Sequence, residues 1–112
     1  ARAFKEAGCD ILDVSSGQVV SEEKPVYGRL FQLPFSDRVR LEADMPTMTV
    51  GNIQSFADAN SIIAGGRADI CVIARMHLFD PYWTRHAANE LRYPLEMPVQ
   101  YKSVETYTPR WT

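Results

Sequence analysis

The stretch that decides the fold is TMTVGNI at residues 47–53, which is followed by DICVIARM at residues 69–76. Each stretch begins as a short apolar strand and ends in a loop, and a helical segment separates the two. Strands joined through a helix run parallel, so both loops leave the sheet at its carboxyl edge. The sequence therefore predicts an α/β fold in which these two loops lie side by side.

Gly51 and Arg75 are the candidate binding residues of these loops. A glycine at a strand end lets backbone amides approach an anion, and an arginine on the next loop supplies the opposite charge. In a βα barrel, a phosphate lies beyond the last two strands. Each residue alone also has a structural explanation, because Gly51 suits a tight turn and Arg75 a surface salt bridge. Together they favour a phosphate site.

The segments before residue 47 continue the alternation of helix and strand. Residues 1–7 predict the end of a helix stopped by Gly8, and residues 11–14 predict a strand. A further helix is predicted from Pro34, which suits a first helical turn. Because the first helix has no N-cap signal or initiator Met before it, we expect the chain to belong to a longer protein.

Two later helices have clear start signals. Ser55 with Asp58 three residues on predicts a capping box, and Gly66 with its preceding glycine predicts the helix end. Asp80 and Pro81 predict the start of the last helix. The helix residues expected to face the core are Phe35, Val39, Ala43, Phe56, Ala59, Ile62, Ile63, Trp83, Ala87 and Leu91.

Two segments lack periodicity. Residues 18–33 form a long, charged connection of the kind that often serves as a functional lid. Residues 93–112 contain three prolines and no periodicity, and they predict an extended tail with no helix or strand. Its aromatic and cationic residues, such as Tyr101 and Arg110, suit either a disordered end or a segment that docks on a partner.

Composition excludes several classes of function. The 112 residues carry a net charge of −2, which argues against a nucleic-acid groove, and no apolar run is long enough for a membrane span. Cys9 and Cys71 fit no zinc motif and predict two buried thiols in a reducing, cytoplasmic compartment. His77 and His86 are the only histidines, and their positions do not predict a metal site.

Several motifs, taken in order, resemble the Old Yellow Enzyme family. They are LDVSSG at residues 12–17, PFSDR at 34–38, VGNI at 50–53, GRAD at 66–69, Ala74-Arg75 and Asp80-Pro81. The resemblance implies a (β/α)₈ barrel with FMN as cofactor and NAD(P)H as reductant. It implies that residues 1–112 are a partial barrel domain, about strands six to eight, with residues 93–112 as its C-terminal tail.

Two segments resemble one branch of that family. KPVYGRLFQ at residues 24–32 and HLFDPYWT at residues 77–84 are similar to the C-terminal oxidoreductase domain of anthraniloyl-CoA monooxygenases and salicylyl-CoA hydroxylases. The resemblance implies a small-molecule acceptor of the aryl-CoA class. MPVQY at residues 97–101 is also similar to the tail of the smaller thermostable-type members.

The resemblance assigns cofactor contacts to both loops. Gly51 and Asn52, after the seventh barrel strand, would give backbone amides to the FMN phosphate. Ala74 and Arg75, after the eighth, would add their amides and the Arg75 guanidinium.

Three further residues have implied roles. Ser16 and Gly17, after the sixth strand, would line the pocket beside the flavin, and Arg110 would reach a neighbouring subunit's active site. The family's substrate-binding histidines and proton donor lie on earlier strands, so no catalytic residue is assigned here. We therefore expect these 112 residues alone to be inactive, and their partners to be further copies or the remainder of the barrel.

Two other hypotheses stay open. The same two loops also suit a phosphate-binding barrel enzyme that uses no flavin, which would lack visible absorbance. Alternatively, the chain is a non-catalytic assembly piece, in which an exposed sheet edge and the aromatic tail drive oligomerisation.

Overall fold

The computed structural model describes residues 1–107, and these form an α/β fold around one small parallel sheet. The alternation of strands and helices agrees with the sequence prediction. In chain order, the elements are α1 (Arg2–Glu6), β1 (Leu12–Val14), α2 (Leu33–Ala43), β2 (Thr47–Val50), α3 (Phe56–Ala64), β3 (Ile70–Val72), α4 (Arg75–Phe79), α5 (Trp83–Glu90) and a 3₁₀ helix (Val99–Val104). Within this part of the chain, every helix is too short or too polar to cross a membrane.

The sheet has the strand order β1-β2-β3, and both pairings are parallel. Val14 lies opposite Thr49, and Val50 lies opposite Val72. The strands therefore end at one common edge, and the loops that follow them leave the sheet there.

Helices α2 and α3 cover one face of the sheet. Because successive strand residues point to opposite faces, buried Thr49 and its neighbour Cys71 face these helices. The buried cluster, to which both helices contribute a residue, consists of Leu33, Ile53, Ile62 and Ala68. The opposite face carries Met48, Val50, Ile70 and Val72, which are half-buried or, for Ile70, 46% exposed.

The signals at the ends of α3 are confirmed. The Asp58 amide donates to Ser55 Oγ at 3.0 Å, and the Ser55 amide donates to an Asp58 carboxylate oxygen at 3.4 Å. Gly66, with φ of 64°, turns the chain out of the helix. These contacts fix where the loop after β2 becomes helix, and so fix the length of that loop.

The predicted start of the last helix at Asp80 and Pro81 is wrong. Helix α4 was not predicted, and Asp80 is the C-cap residue that follows its last residue, Phe79. The Asp80 carboxylate accepts a hydrogen bond from the Tyr82 amide at 3.0 Å and shapes a turn between two helices. Helix α5 therefore begins at Trp83, after Tyr82.

The predicted core positions are correct for only part of each helix. Ile62, Ala43, Trp83 and Ala87 are buried. The predictions are wrong for Ile63, Phe35 and Leu91, which are 45%, 50% and 49% exposed. Periodicity locates the apolar side of a helix, but burial also needs a neighbouring element, and none among residues 1–107 covers these three side chains.

Two further predictions need correction. Residues from Tyr93 onward are not free of helix, because Val99–Val104 form a 3₁₀ helix whose Val104 carbonyl accepts from Arg85 at 2.6 Å. Cys9 is exposed rather than buried, because no described element covers residues 1–10, which are all exposed. Cys71 is half-buried, and this burial raises the pKa of its thiol.

Candidate functional site

The loops after β2 and β3 form a shared cavity at the carboxyl edge of the sheet. It has a volume of about 270 Å³. Its lining comes from residues 50–54 of the first loop and residues 72–76 of the second. The structure thus brings Gly51, Asn52, Ala74 and Arg75 together around one space, while their role in binding stays a prediction.

The first loop turns sharply because two consecutive residues have positive φ. Gly51 has φ of 115° and Asn52 has φ of 54°. A Cβ atom on Gly51 would lie 2.6 Å from Gln32 Nε2 and 2.8 Å from Phe31 Cε1. Only glycine fits this conformation without displacing those side chains, so the turn depends on Gly51.

Both polar atoms of the Asn52 side chain make hydrogen bonds that stabilise the loop. Asn52 Nδ2 donates to the Gly28 carbonyl at 3.0 Å, and Asn52 Oδ1 accepts from Gln54 Nε2 at 2.7 Å. Asparagine tolerates the left-handed conformation because its short side chain can make such local hydrogen bonds. Asn52 therefore supports the turn through its side chain and leaves its amide available.

The cavity carries donors suited to an anion. The backbone amides of Asn52, Ala74 and Arg75 donate to no acceptor within residues 1–107. The Arg75 side chain is exposed and forms no salt bridge with a carboxylate in the same range. Unpaired amides beside an unpaired guanidinium match a phosphate group, which presents several acceptor oxygens and a negative charge.

Ser16 and Gly17 lie at the same sheet edge but do not line this cavity. They follow β1, and the Ser16 amide and hydroxyl both donate to Gln32 Oε1, the hydroxyl at 3.1 Å. Gly17 has φ of 81° and lies beside Pro25. The structure therefore separates these two residues from the four around the cavity.

Gln32 is the residue at this edge that sequence reasoning missed. It lies at the end of the aperiodic loop, precedes α2, and is 5% exposed. Glutamine is not a favoured N-cap residue, and its side chain makes no capping hydrogen bond here. A glutamine at the N-cap position was therefore the one sequence signal that the Gln32 side chain makes hydrogen bonds elsewhere.

The histidines make local contacts. His77 Nε2 is 3.0 Å from Thr84 Oγ1, and its ring meets the Trp83 ring edge-on at 5.7 Å between centroids. His86 Nδ1 is 2.7 Å from an Asp80 carboxylate oxygen. Over residues 1–107, no three His, Cys, Asp or Glu side chains are grouped so that they could hold a metal ion. Arg110 lies outside the described residues.

Comparison with known proteins identifies the family. The model of the NADH:flavin oxidoreductase / NADH oxidase family matches residues 1–93. This chain therefore belongs to that family. FMN is the cofactor and NAD(P)H the reductant that this membership implies.

Several relatives carry the name NADPH dehydrogenase. The chain is 44% identical to the protein of Bacillus licheniformis over 101 residues, which cover 90% of this chain and 30% of the relative. It is also 44% identical to that of Geobacillus thermodenitrificans over 101 residues, covering 90% of this chain and 29% of the relative. The Bacillus subtilis protein is 39% identical over 102 residues, covering 91% and 30%. The chain thus spans about 30% of the length of these relatives.

Proposed function

We propose that this chain is part of an FMN-dependent NAD(P)H oxidoreductase of the Old Yellow Enzyme type, in which it holds the FMN phosphate. The observation that carries the proposal is the cavity between the two loops, where the backbone amides and the Arg75 guanidinium have no hydrogen-bond or salt-bridge partner within residues 1–107. Family membership supports FMN as the occupant. FMN, when bound, supplies the redox chemistry by accepting and passing on a hydride.

In this proposal the residues divide the binding of the phosphate between them. The amides of Gly51, Asn52, Ala74 and Arg75 would donate to its oxygens, and the Arg75 guanidinium would add a charge-assisted pair of hydrogen bonds. Such contacts fix the position of the flavin relative to the sheet edge, because the phosphate is the charged end of the cofactor. Ser16 and Gly17 would line the pocket further along the flavin.

The proposal also places the chain in a larger barrel. Strands β1 to β3 would be about strands six to eight of the (β/α)₈ barrel, with residues 93–112 as the tail and Arg110 at a neighbouring subunit. The apolar and partly exposed sheet face supports this, since a barrel would cover it. Substrate-handling residues would lie on the other strands, so the 112 residues alone would have no activity. A cytoplasmic location belongs to the same proposal.

An aryl-CoA acceptor is the finer form of the proposal. It is supported by the resemblance of residues 24–32 and 77–84 to the aryl-CoA branch. The first of these segments reaches the cavity loop, because Gly28 accepts the hydrogen bond of Asn52. If the acceptor is of this class, an aryl-CoA oxidises the reduced flavin faster than the corresponding free aromatic acid in stopped-flow measurements. Equal rates for the two compounds would contradict the assignment.

Arg75→Ala in the full-length flavoprotein tests the central claim. Loss of charge-assisted hydrogen bonds is expected to raise the FMN dissociation constant by roughly 10- to 100-fold. Arg38→Ala is the matched control, because Arg38 forms an exposed pair with Glu42 on α2. Unchanged flavin content in Arg75→Ala contradicts the phosphate role. A colourless wild-type protein that binds another phosphate compound favours the enzyme without flavin.

A further inference from the structure

The side chain of Gln32 connects two of the strand ends at the carboxyl edge. Gln32 Oε1 accepts hydrogen bonds from the amide and hydroxyl of Ser16, in the loop after β1. Gln32 Nε2 donates to the carbonyl of Val50, the last residue of β2, at 3.0 Å. The carboxamide of one buried residue therefore joins Ser16, which is 16 residues before it in the chain, to Val50, which is 18 residues after it.

This connection lies directly against the turn that borders the cavity. A Cβ atom added to Gly51 would lie 2.6 Å from Gln32 Nε2 and 3.1 Å from Gln32 Cγ. The Gly51 backbone therefore packs directly against this side chain. Val50 and Gly51 are adjacent, and the hydrogen bond at the Val50 carbonyl therefore orients the peptide that leads into the turn. The cavity begins at the same two residues.

The chemistry of a carboxamide is what the position needs. The oxygen must accept from Ser16 while the nitrogen donates to Val50, and glutamine is long enough to do both. An apolar side chain of similar volume would remove the hydrogen-bond partners of the Ser16 amide and of the carbonyl of half-buried Val50. The loss is costly at the Val50 carbonyl, which is partly shielded from water, whereas Ser16 is exposed. The turn would then be free to shift, because the contact that orients it is lost.

We infer that Gln32 is a positioning residue for the phosphate site, which it serves by fixing the Gly51 turn relative to Arg75. This inference rests on the proposed function. Gln32 does not line the cavity, so it acts through the turn and not by touching the ligand. The affinity for a ligand that is bound through its phosphate therefore depends on Gln32. The affinity for the flavin ring, which other parts of the protein would bind, does not depend on it.

The test compares FMN with riboflavin, which has the same ring and no phosphate, in the full-length flavoprotein. Gln32→Met is expected to weaken FMN binding by about 10-fold and leave riboflavin binding unchanged. Ile62→Val is the matched control for a purely structural loss, because Ile62 is a residue of α3 in the buried cluster. It should lower the melting temperature without changing the ratio of the FMN affinity to the riboflavin affinity.

Each outcome decides a separate question. If Arg75→Ala weakens FMN binding while Gln32→Met weakens neither ligand, or both equally, the inference about Gln32 is wrong and the proposed function stands. If Arg75→Ala leaves FMN binding unchanged, the proposed function itself is wrong. Should Gln32→Met fail to fold, Gln32→Asn makes the same comparison, because it keeps the amide but is one methylene too short to reach both partners.

Discussion

Arg29 and Asp58 form a salt bridge that ties the loop after β1 to the first turn of α3. Arg29 Nε donates to an Asp58 carboxylate oxygen at 2.9 Å, and a second guanidinium nitrogen donates to the same oxygen. Asp58 is 3% exposed, whereas the Arg29 side chain is largely exposed. The other Asp58 oxygen completes the capping box with Ser55. One carboxylate thus stabilises a helix start and holds the loop that contains Gln32.

Acid is expected to weaken this connection. The hydrogen bond from Arg29 holds the pKa of Asp58 below its ordinary value of 3.8, with Ser55 acting in the same direction against the effect of burial. The folded protein therefore binds this proton less tightly than the unfolded chain does. The stabilisation is complete above the ordinary pKa and is lost as pH falls through the lower, folded value. Denaturant unfolding at about pH 6 and about pH 3 measures the loss.

Two variants isolate the contribution of Asp58. Asp58→Asn should lower stability near neutral pH and make the acid dependence shallower. Asp69, whose pKa is lowered by hydrogen bonds from Arg40 and from the Thr47 amide, leaves a residual slope. Asp10→Asn is the control, because Asp10 is exposed and accepts no side-chain hydrogen bond within residues 1–107. An Asp58→Asn protein with the full wild-type acid dependence would rule out this account.

The two roles of Asp58 show what a sequence can and cannot predict. Its capping box is local, since Ser55 and Asp58 are three residues apart, and the sequence predicts it correctly. Its pairing with Arg29 joins positions 29 residues apart, and no periodicity or spacing encodes such a contact. The strands and the parallel order follow the same rule, because the alternation of elements is itself a local pattern.

The candidate site divides in the same way. Parallel topology places the loops of Gly51 and Arg75 side by side, so their meeting around a cavity could be predicted. The part played by Gln32 could not, because it depends on the path of a loop whose residues 18–32 lack regular structure. Ser16 lies at the correct sheet edge, yet only the fold shows that it contacts Gln32 rather than the cavity.

Ile62 and Ile63 are adjacent in α3 and differ sharply in burial, at 1% and 45% exposed. Ile62→Ala should lower the free energy of unfolding by about 2–5 kcal/mol, because it leaves a cavity among Leu33, Ile53 and Ala68. Ile63→Ala has the same chemistry at a partly exposed position and should cost under about 1 kcal/mol. Urea titration of both variants measures the difference. Equal losses would mean that Ile63 is also packed in solution, as its place in the apolar stripe predicts.

Gly51→Ala tests the turn at the cavity separately from any ligand. The added methyl group meets Gln32 and Phe31 at distances that force a shift, and φ of 115° is strained for alanine. Together these effects should cost roughly 1–3 kcal/mol of stability without FMN present.

Gly28→Ala is the matched control for this substitution. Gly28 lies in the neighbouring loop with no atom within 4 Å of its Cβ position, and its φ is not positive. Its replacement should therefore be neutral or slightly stabilising, since alanine restricts the unfolded chain more than glycine does. Thermal unfolding of the ligand-free variants distinguishes the two positions. Equal changes in melting temperature for the two variants would mean that the turn at Gly51 adapts to the methyl group. The close approach of Gln32 would then not explain the glycine at this position.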